Sequence, residues 1–386
     1  MKFNCISLFC SAGLAETYFS QHGITVTVSS ELLPERADLH KKLYPDCNCV
    51  VGDINDSGVF DKIINLARQT NVDFLLATPP CQGMSTAGKM LHDDPRNRLI
   101  IPTVRAIQIL KPKFAMIENV PELLQTSILI EGKWVLIKDY IENELGQEYA
   151  INERKVVNAA QYHVPQSRQR CVFLLTRKDQ GVRWEFPEPS RHFMTMRDAI
   201  GNLPSVDPYI YDTDDETRNR IFPDFEKKKA AAALVSPWHC PPRHTLRHVI
   251  AMMHTPEGHS AWENQIYYPT LRDGTKSKGY KNTYKRQWWD KPAYTITKYT
   301  SRLGSQENGH PGRLITDDGT EEGRLYSEPR TMTIYELMVL SSLPRDWNIP
   351  IGTSTNLIRE VIGEGVPPKL LESALISLES LLETKK

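Results

Sequence analysis

Asn4-Cys5-Ile6-Ser7-Leu8-Phe9, followed by Cys10-Ser11-Ala12-Gly13, is an apolar run of strand formers that stops at small, turn-prone residues. The pattern beyond it predicts a helix from about Leu14 to Ser20, closed by Gly23, then a strand over Thr25 to Ser29 with Glu31 just after it. Pro34 to Leu43 reads as helix. Cys49 to Val51 reads as a short strand ending at Gly52-Asp53, and Val72 to Ala77 as a strand broken by Thr78-Pro79-Pro80. Phe114 to Ile117 is the next strand, with Glu118-Asn119-Val120-Pro121 behind it. Strands alternating with helices at this interval predict an α/β fold with a mostly parallel sheet and helices on both faces. Ligands of such sheets collect beyond the carboxyl ends of the strands. Ser11, Glu31, Asp53, Cys81 and Glu118 all fall at that predicted edge.

A chain of 386 residues suggests two domains, one of them built from separated segments. The texture changes after Pro187: to about Glu328 the chain is rich in Pro, Gly, Arg, Lys, Tyr and Trp, as in a loop-rich module. The expected division is therefore 1–187 with 329–386, and 188–328. Thr331 to Leu343 reads as an amphipathic helix and Leu370 to Leu382 as a final one. No apolar run is long enough to span a membrane, and the N-terminus does not read as a secretion signal. Seven cysteines, an odd count without a regular framework, fit reduced thiols in the cytoplasm, and no cysteine–histidine cluster is expected to hold a metal. The formal net charge is zero, which taken alone argues against a nucleic-acid partner, so the distribution of charge decides. Leu271 to Arg302 holds nine Lys or Arg against two Asp, with Tyr280, Tyr284, Trp288, Trp289, Tyr294 and Tyr299 interleaved.

Three polar segments stand out. Cys81 follows Pro79-Pro80, which would present a thiol on a rigid turn, although a free cysteine is more often a small buried hydrophobe. Glu118-Asn119 ends a strand, where a capped turn would serve as well. Alternation along Gln166-Ser167-Arg168-Gln169-Arg170 puts Gln166, Arg168 and Arg170 on one face of an extended segment, where a solvated edge strand is the plain alternative.

Taken in order, Pro80-Cys81-Gln82, Glu118-Asn119-Val120 and Gln166 to Arg170 resemble the DNA cytosine-5 methyltransferase family of bacterial restriction–modification systems. The resemblance covers nearly the whole chain. Leu8 to Gly13 looks like the family's opening cofactor motif, Glu328 through Glu336 the segment after its recognition domain, and Ile362 to Pro368 its closing motif. Gly13 stands alone in an opening motif that usually has more glycines, and Glu364 stands where the family more often has Asn.

The resemblance implies a Rossmann-like S-adenosylmethionine-dependent methyltransferase fold with a smaller target-recognition domain at 188–328. It implies Cys81 as nucleophile on carbon 6 of cytosine, and Glu118 as the acid at ring nitrogen 3. Arg168 and Arg170 would hold the exocyclic oxygen, with Asn119 bracing the loop. Phe9, Ser11, Gly13, Glu31, Leu32, Asp53, Ile54, Thr78, Pro80, Glu364 and Val366 become candidates for the cofactor site. Residues 83–99 look like the loop that closes over a flipped base, with Ser85, Lys89, Arg96 and Arg98 as candidate phosphate contacts. Arg272, Lys285, Arg286 and Arg302 are further candidates in the basic, aromatic module. Expected partners are double-stranded DNA and a cognate restriction endonuclease, with the enzyme a cytoplasmic monomer. The family's RNA-acting branch carries a Cys-Phe-Thr sequence that this chain lacks. Intact Cys81, Glu118 and Arg170 argue against a catalytically silent DNA-binding relative.

Overall fold

The computed structural model describes residues 1–80 and 94–385, excepting the side chains of residues 153–155. Cys81, Ser85 and Lys89 therefore lie outside the described residues. Five strands pair in parallel: β1 (Phe3–Leu8), β2 (Ile24–Glu31), β3 (Asn48–Val51), β4 (Phe74–Ala77) and β5 (Phe114–Asn119). A separate hairpin, β6 (Ser127–Ile130) with β7 (Lys133–Leu136), precedes β8 (Tyr149–Asn158) and β9 (Gln169–Arg177). The main sheet runs β3-β2-β1-β4-β5-β9-β8, with β9 antiparallel to both its neighbours. Chain order reverses between β1 and β4, the switch point at which such sheets open a crevice. The two strand ends are tied together there: the Thr78 hydroxyl donates to the Phe9 carbonyl at 3.1 Å, and its backbone N–H to that of Leu8 at 3.2 Å.

Central strands are apolar on both faces because both are covered. Helices α1 (Pro34–Leu43), α2 (Ser57–Gln69), α3 (Ile100–Leu110) and α4 (Ile137–Leu145) belong to the first half. Phe60, Ile63, Val104, Ile107 and Ile141 of α2–α4 bury against Leu75, Ala77, Ala115 and Ile117. Phe74, Leu76, Phe114 and Met116 face the other way, onto Trp184, Phe19 and the last helix. The later helices are α5 (Met196–Ile200), α6 (Asp215–Ile221), α7 (Phe225–Val235), α8 (Leu246–Met253), α9 (Ile334–Leu340), α10 (Thr355–Glu364) and α11 (Pro368–Thr384). Trp289, Ala293 and Ile296 share a third core with Ala12, Leu14, α9 and α10, so the basic segment is anchored on the opening loop. Among the described residues no helix is long and apolar enough to cross a membrane.

Two expected helices are corrected. Leu14 to Ser20 is not an α-helix. Thr17, Phe19, Gln21 and Gly23 each donate to the carbonyl three residues back, giving tight turns and a short 3₁₀ segment at Phe19–His22. Thr331 to Leu343 shortens to α9, because Thr333 caps it in a reciprocal box with Glu336.

Arg330 organises the segment before α9. It is fully buried and donates to Glu336 at 2.7 and 2.8 Å, to Glu328 at 2.6 Å and to the Val206 carbonyl. Burial alone would raise the Glu336 carboxyl, but Arg330, then His310, hold it down to about 2, below its ordinary 4.5. Glu336 thus contributes stability that is complete above pH 4.5 and lost as pH falls through about 2. Replacing Arg330 by Met strands two buried carboxylates and should lower the unfolding free energy by about 3–5 kcal/mol. Urea unfolding at neutral pH measures the loss, and the gap between variant and wild type should narrow on acidification below pH 4.

Candidate active site

The alternation predicted for residues 166–170 is observed: Gln166, Arg168 and Arg170 are buried and Gln169 is exposed. Antiparallel pairing sets Glu118 opposite Val172 and Asn119 opposite Cys171, which carries Arg170 to the carboxyl end of β5. Arg170 Nε lies 2.7 Å from Glu118 Oε1, an ion-pair contact. Burial raises the Glu118 carboxyl above its ordinary value, and the charges of Arg170 and Arg168 offset part of that rise. The result is a buried carboxyl biased toward its protonated form, with a cation held against it.

Asn119 reaches the other way. Its Nδ2 donates to the Pro79 carbonyl at 2.9 Å, and its Oδ1 accepts from Val120 N at 2.8 Å. The prolyl turn two residues before Cys81 is thus fastened to the residue after Glu118. Arg168 departs from expectation. Instead of standing ready to grip a base oxygen, its Nη1 donates to the Ile296 carbonyl at 2.8 Å and its Nη2 to that of Gly363 at 2.9 Å. It joins β9, the basic segment and the closing motif, and acts on Glu118 through charge. Gly363 permits this junction: a Cβ there would sit 2.3 Å from the Thr297 carbonyl carbon.

The crevice side is built from the ends of β1, β2 and β3. Phe9, Ser11 and Gly13 have φ of 61°, 50° and 82°, a left-handed loop in which only Gly13 is a glycine. Its fold is fixed by Glu31, whose Oε2 accepts from Ser11 N and whose Oε1 accepts from Leu33 N, each at 2.9 Å. Ser11 Oγ is buried without a partner, Leu32 and Asp53 are exposed, and Ile54 is buried beneath. Val366 packs under the sheet. Pro80, half-buried, ends the prolyl turn. Glu364 pairs with Arg36 of α1 at 2.7 Å and with Lys298 at 3.5 Å. Neither pairing is marked in the sequence, because the partners lie 328 and 66 residues away from Glu364.

Of the expected DNA contacts, Arg98, Arg272 and Arg302 are exposed, and Tyr280 and Tyr299 stand out beside the basic segment. Arg96 is held by Asp94, with its Nη2 at 2.6 Å, and Lys285 pairs with Glu307 at 3.2 Å. Arg286 is a correction: it is fully buried, and donates to the carbonyls of His310, Glu328 and Met252. Its five donors suit an interior junction of three chain segments as well as a phosphate.

The model of the family described as C-5 cytosine-specific DNA methylase matches residues 3–379. The chain belongs to that family. This C-5 cytosine methylase is 41% identical over 373 residues to the Type II methyltransferase M1.HgaI of Avibacterium volantium, spanning 95% of this chain and 96% of that one. It is 36% identical over 211 residues to the Type II methyltransferase M1.HphI of Haemophilus parahaemolyticus, covering 53% of this chain and 54% of the relative. Its fold resembles the crystal structure of an E. coli prophage protein described as a DNA modification methyltransferase. The TM-score is 0.65 at 19% identity, over 99% of this chain and 100% of that one. The Entamoeba histolytica methyltransferase EhMeth gives a TM-score of 0.60 at 15% identity, over 100% and 99%.

In the methylase, Asn119→Ala should loosen the prolyl turn without removing an acid or a nucleophile. Single-turnover methylation is expected to slow by about 10²-fold. Stability should fall by only about 1–3 kcal/mol, measured by denaturant unfolding of the same preparation.

Proposed function

We propose that the methylase takes its methyl group from S-adenosylmethionine and delivers it to a cytosine flipped out of a DNA duplex, through a covalent adduct on Cys81. The observation that carries this reading is the buried Glu118–Arg170 pair, with the turn leading to Cys81 tied to Asn119 beside it. Carbon 5 of cytosine is a poor nucleophile. Addition of a Cys81 thiolate to carbon 6 converts the ring to an enamine, nucleophilic at carbon 5. Protonated Glu118 hydrogen-bonds ring nitrogen 3 and neutralises charge developing there, while Arg170 keeps Glu118 oriented and the site electropositive. Once carbon 5 carries the methyl group, its proton passes to a base such as water, the C5–C6 double bond re-forms and the C6–S bond breaks, releasing the Cys81 thiolate. When bound, S-adenosylmethionine supplies the electrophilic methyl group that carbon 5 takes up.

The donor set suits that cofactor. Glu31 and Asp53, at the ends of β2 and β3, offer acceptors for ribose hydroxyls and the adenine amino group. Phe9, Leu32 and Ile54 offer apolar contact to the adenine. The orphaned Ser11 hydroxyl and the Gly13 turn, with Thr78, Pro80, Glu364 and Val366, would hold the remainder. Exposed Arg98, Arg272 and Arg302, with Lys89 and Arg96, supply cationic contacts to phosphates, and Ser85 a hydroxyl. Residues 188–328 act as the target-recognition module. The relatives' Type II description supports a restriction–modification role, with a cognate endonuclease cutting the same unmethylated site and the methylase acting as a monomer.

Bisulfite sequencing of DNA from cells expressing the chain should reveal 5-methylcytosine in one short sequence context. Cys81→Ser should abolish it while retaining duplex binding. Methylation confined to tRNA, or an active serine variant, would overturn the proposal. Because Glu118 must be protonated, kcat/KM should fall as pH rises through its raised pKa. Glu118→Gln should lose about 10²–10⁴-fold in rate and flatten that alkaline fall.

A further inference from the structure

Three residues on separate elements converge beneath the opening loop. Cys10 begins that loop, His40 sits on α1 and Cys49 on β3, and one ligand atom from each lies within 4.8 Å of the others. The sequence spacing of 30 and 9 residues matches no short ligand motif, which is why the linear reading expects no metal there. Cys10 and His40 are buried, while Cys49 on the edge strand is part-exposed, leaving a route from solvent.

Two features set this group apart from an ordinary core. Neither ring nitrogen of His40 makes a well-formed hydrogen bond with any protein group, although the ring is almost wholly buried beside Cys49. Buried imidazoles without well-formed hydrogen bonds are uncommon, and the Tyr44 ring packs beside that of His40 tilted by 32°. Nearby in the same interior, Glu16 also has a buried oxygen, Oε2, without a partner. The second cluster of this kind, His310 with Glu328 and Glu336, differs in this respect, because Arg330 already occupies both carboxylates.

We propose that Cys10, His40 and Cys49 bind a zinc ion, with a fourth position left to water. Two thiolates and an imidazole are a zinc donor set, and ligands about 2.0–2.3 Å from one ion need only small movements from the separations present. The ion would pin Cys10 to α1 and β3. That fixes the loop whose Ser11 N–H is held by Glu31 and whose Gly13 carbonyl accepts from the Tyr44 hydroxyl. It is a structural site that sets the shape of the proposed donor crevice, and its detection does not depend on methylation.

Elemental analysis of protein purified without a metal-affinity step should find one zinc per chain. Stripped protein given one equivalent of Co(II) should develop thiolate-to-metal charge-transfer absorption of two-thiolate intensity. Cys49→Ser, at a part-exposed position, should halve that absorption and abolish the zinc-dependent rise in melting temperature. His40→Gln should shift the visible cobalt bands, and Cys240→Ser should change neither. Sub-stoichiometric metal in wild type, a cobalt spectrum that survives Cys49→Ser at full intensity, or a Cys10–Cys49 disulfide in fresh protein would overturn the site.

Discussion

A carboxyl group in an apolar interior, with a guanidinium laid against it, is the constraint around which this molecule is arranged. Glu118 reaches its place because β5 ends there, and Arg170 because β9 returns antiparallel. An all-parallel continuation would have sent the next strand the same way as β5 and left the arginine at the far end of the sheet. The reversal keeps the acid buried without leaving it alone. The opposing effects of burial and charge leave the carboxyl raised but accompanied.

The rest of the chain encloses this pair. Arg168, two residues earlier on the same face, binds carbonyls of Ile296 and Gly363, closing a ring of three distant segments. Glu364 adds ion pairs to α1 and to Lys298. The segment before α9 is locked by Arg330 and the α9 cap. The basic stretch expected to meet DNA therefore rests on the same walls as the opening loop at Phe9 to Gly13.

Much of the fold was legible in the sequence because parallel strands buried on both faces are apolar runs closed by turn residues, and all five were placed within a few residues. Helix α1 matched its prediction from Pro34 to Leu43. The failures have physical causes. The stretch after Gly13 carries helix-forming residues, yet its backbone is held in successive tight turns while the Glu16 side chain bonds Ser7 inside the sheet. Charge in a linear segment also misled: Arg286 counts as part of a basic stretch, but its neighbours turn it inward. The Glu364 departure finds its reason in Arg36, and the glycine-poor opening loop in Phe9 and Ser11 taking left-handed angles themselves. The Cys10–His40–Cys49 convergence exists only in three dimensions.

The central claim is that Cys81 adds to the base it modifies. A duplex carrying 5-fluorocytosine at the target position, incubated with enzyme and S-adenosylmethionine, blocks loss of the carbon 5 substituent and so traps any adduct. Denaturing mass spectrometry should find protein joined to the methylated strand, and peptide mapping should place the link on Cys81. Turnover of the unmodified duplex with no trapped species, or a link on another residue, would contradict the account.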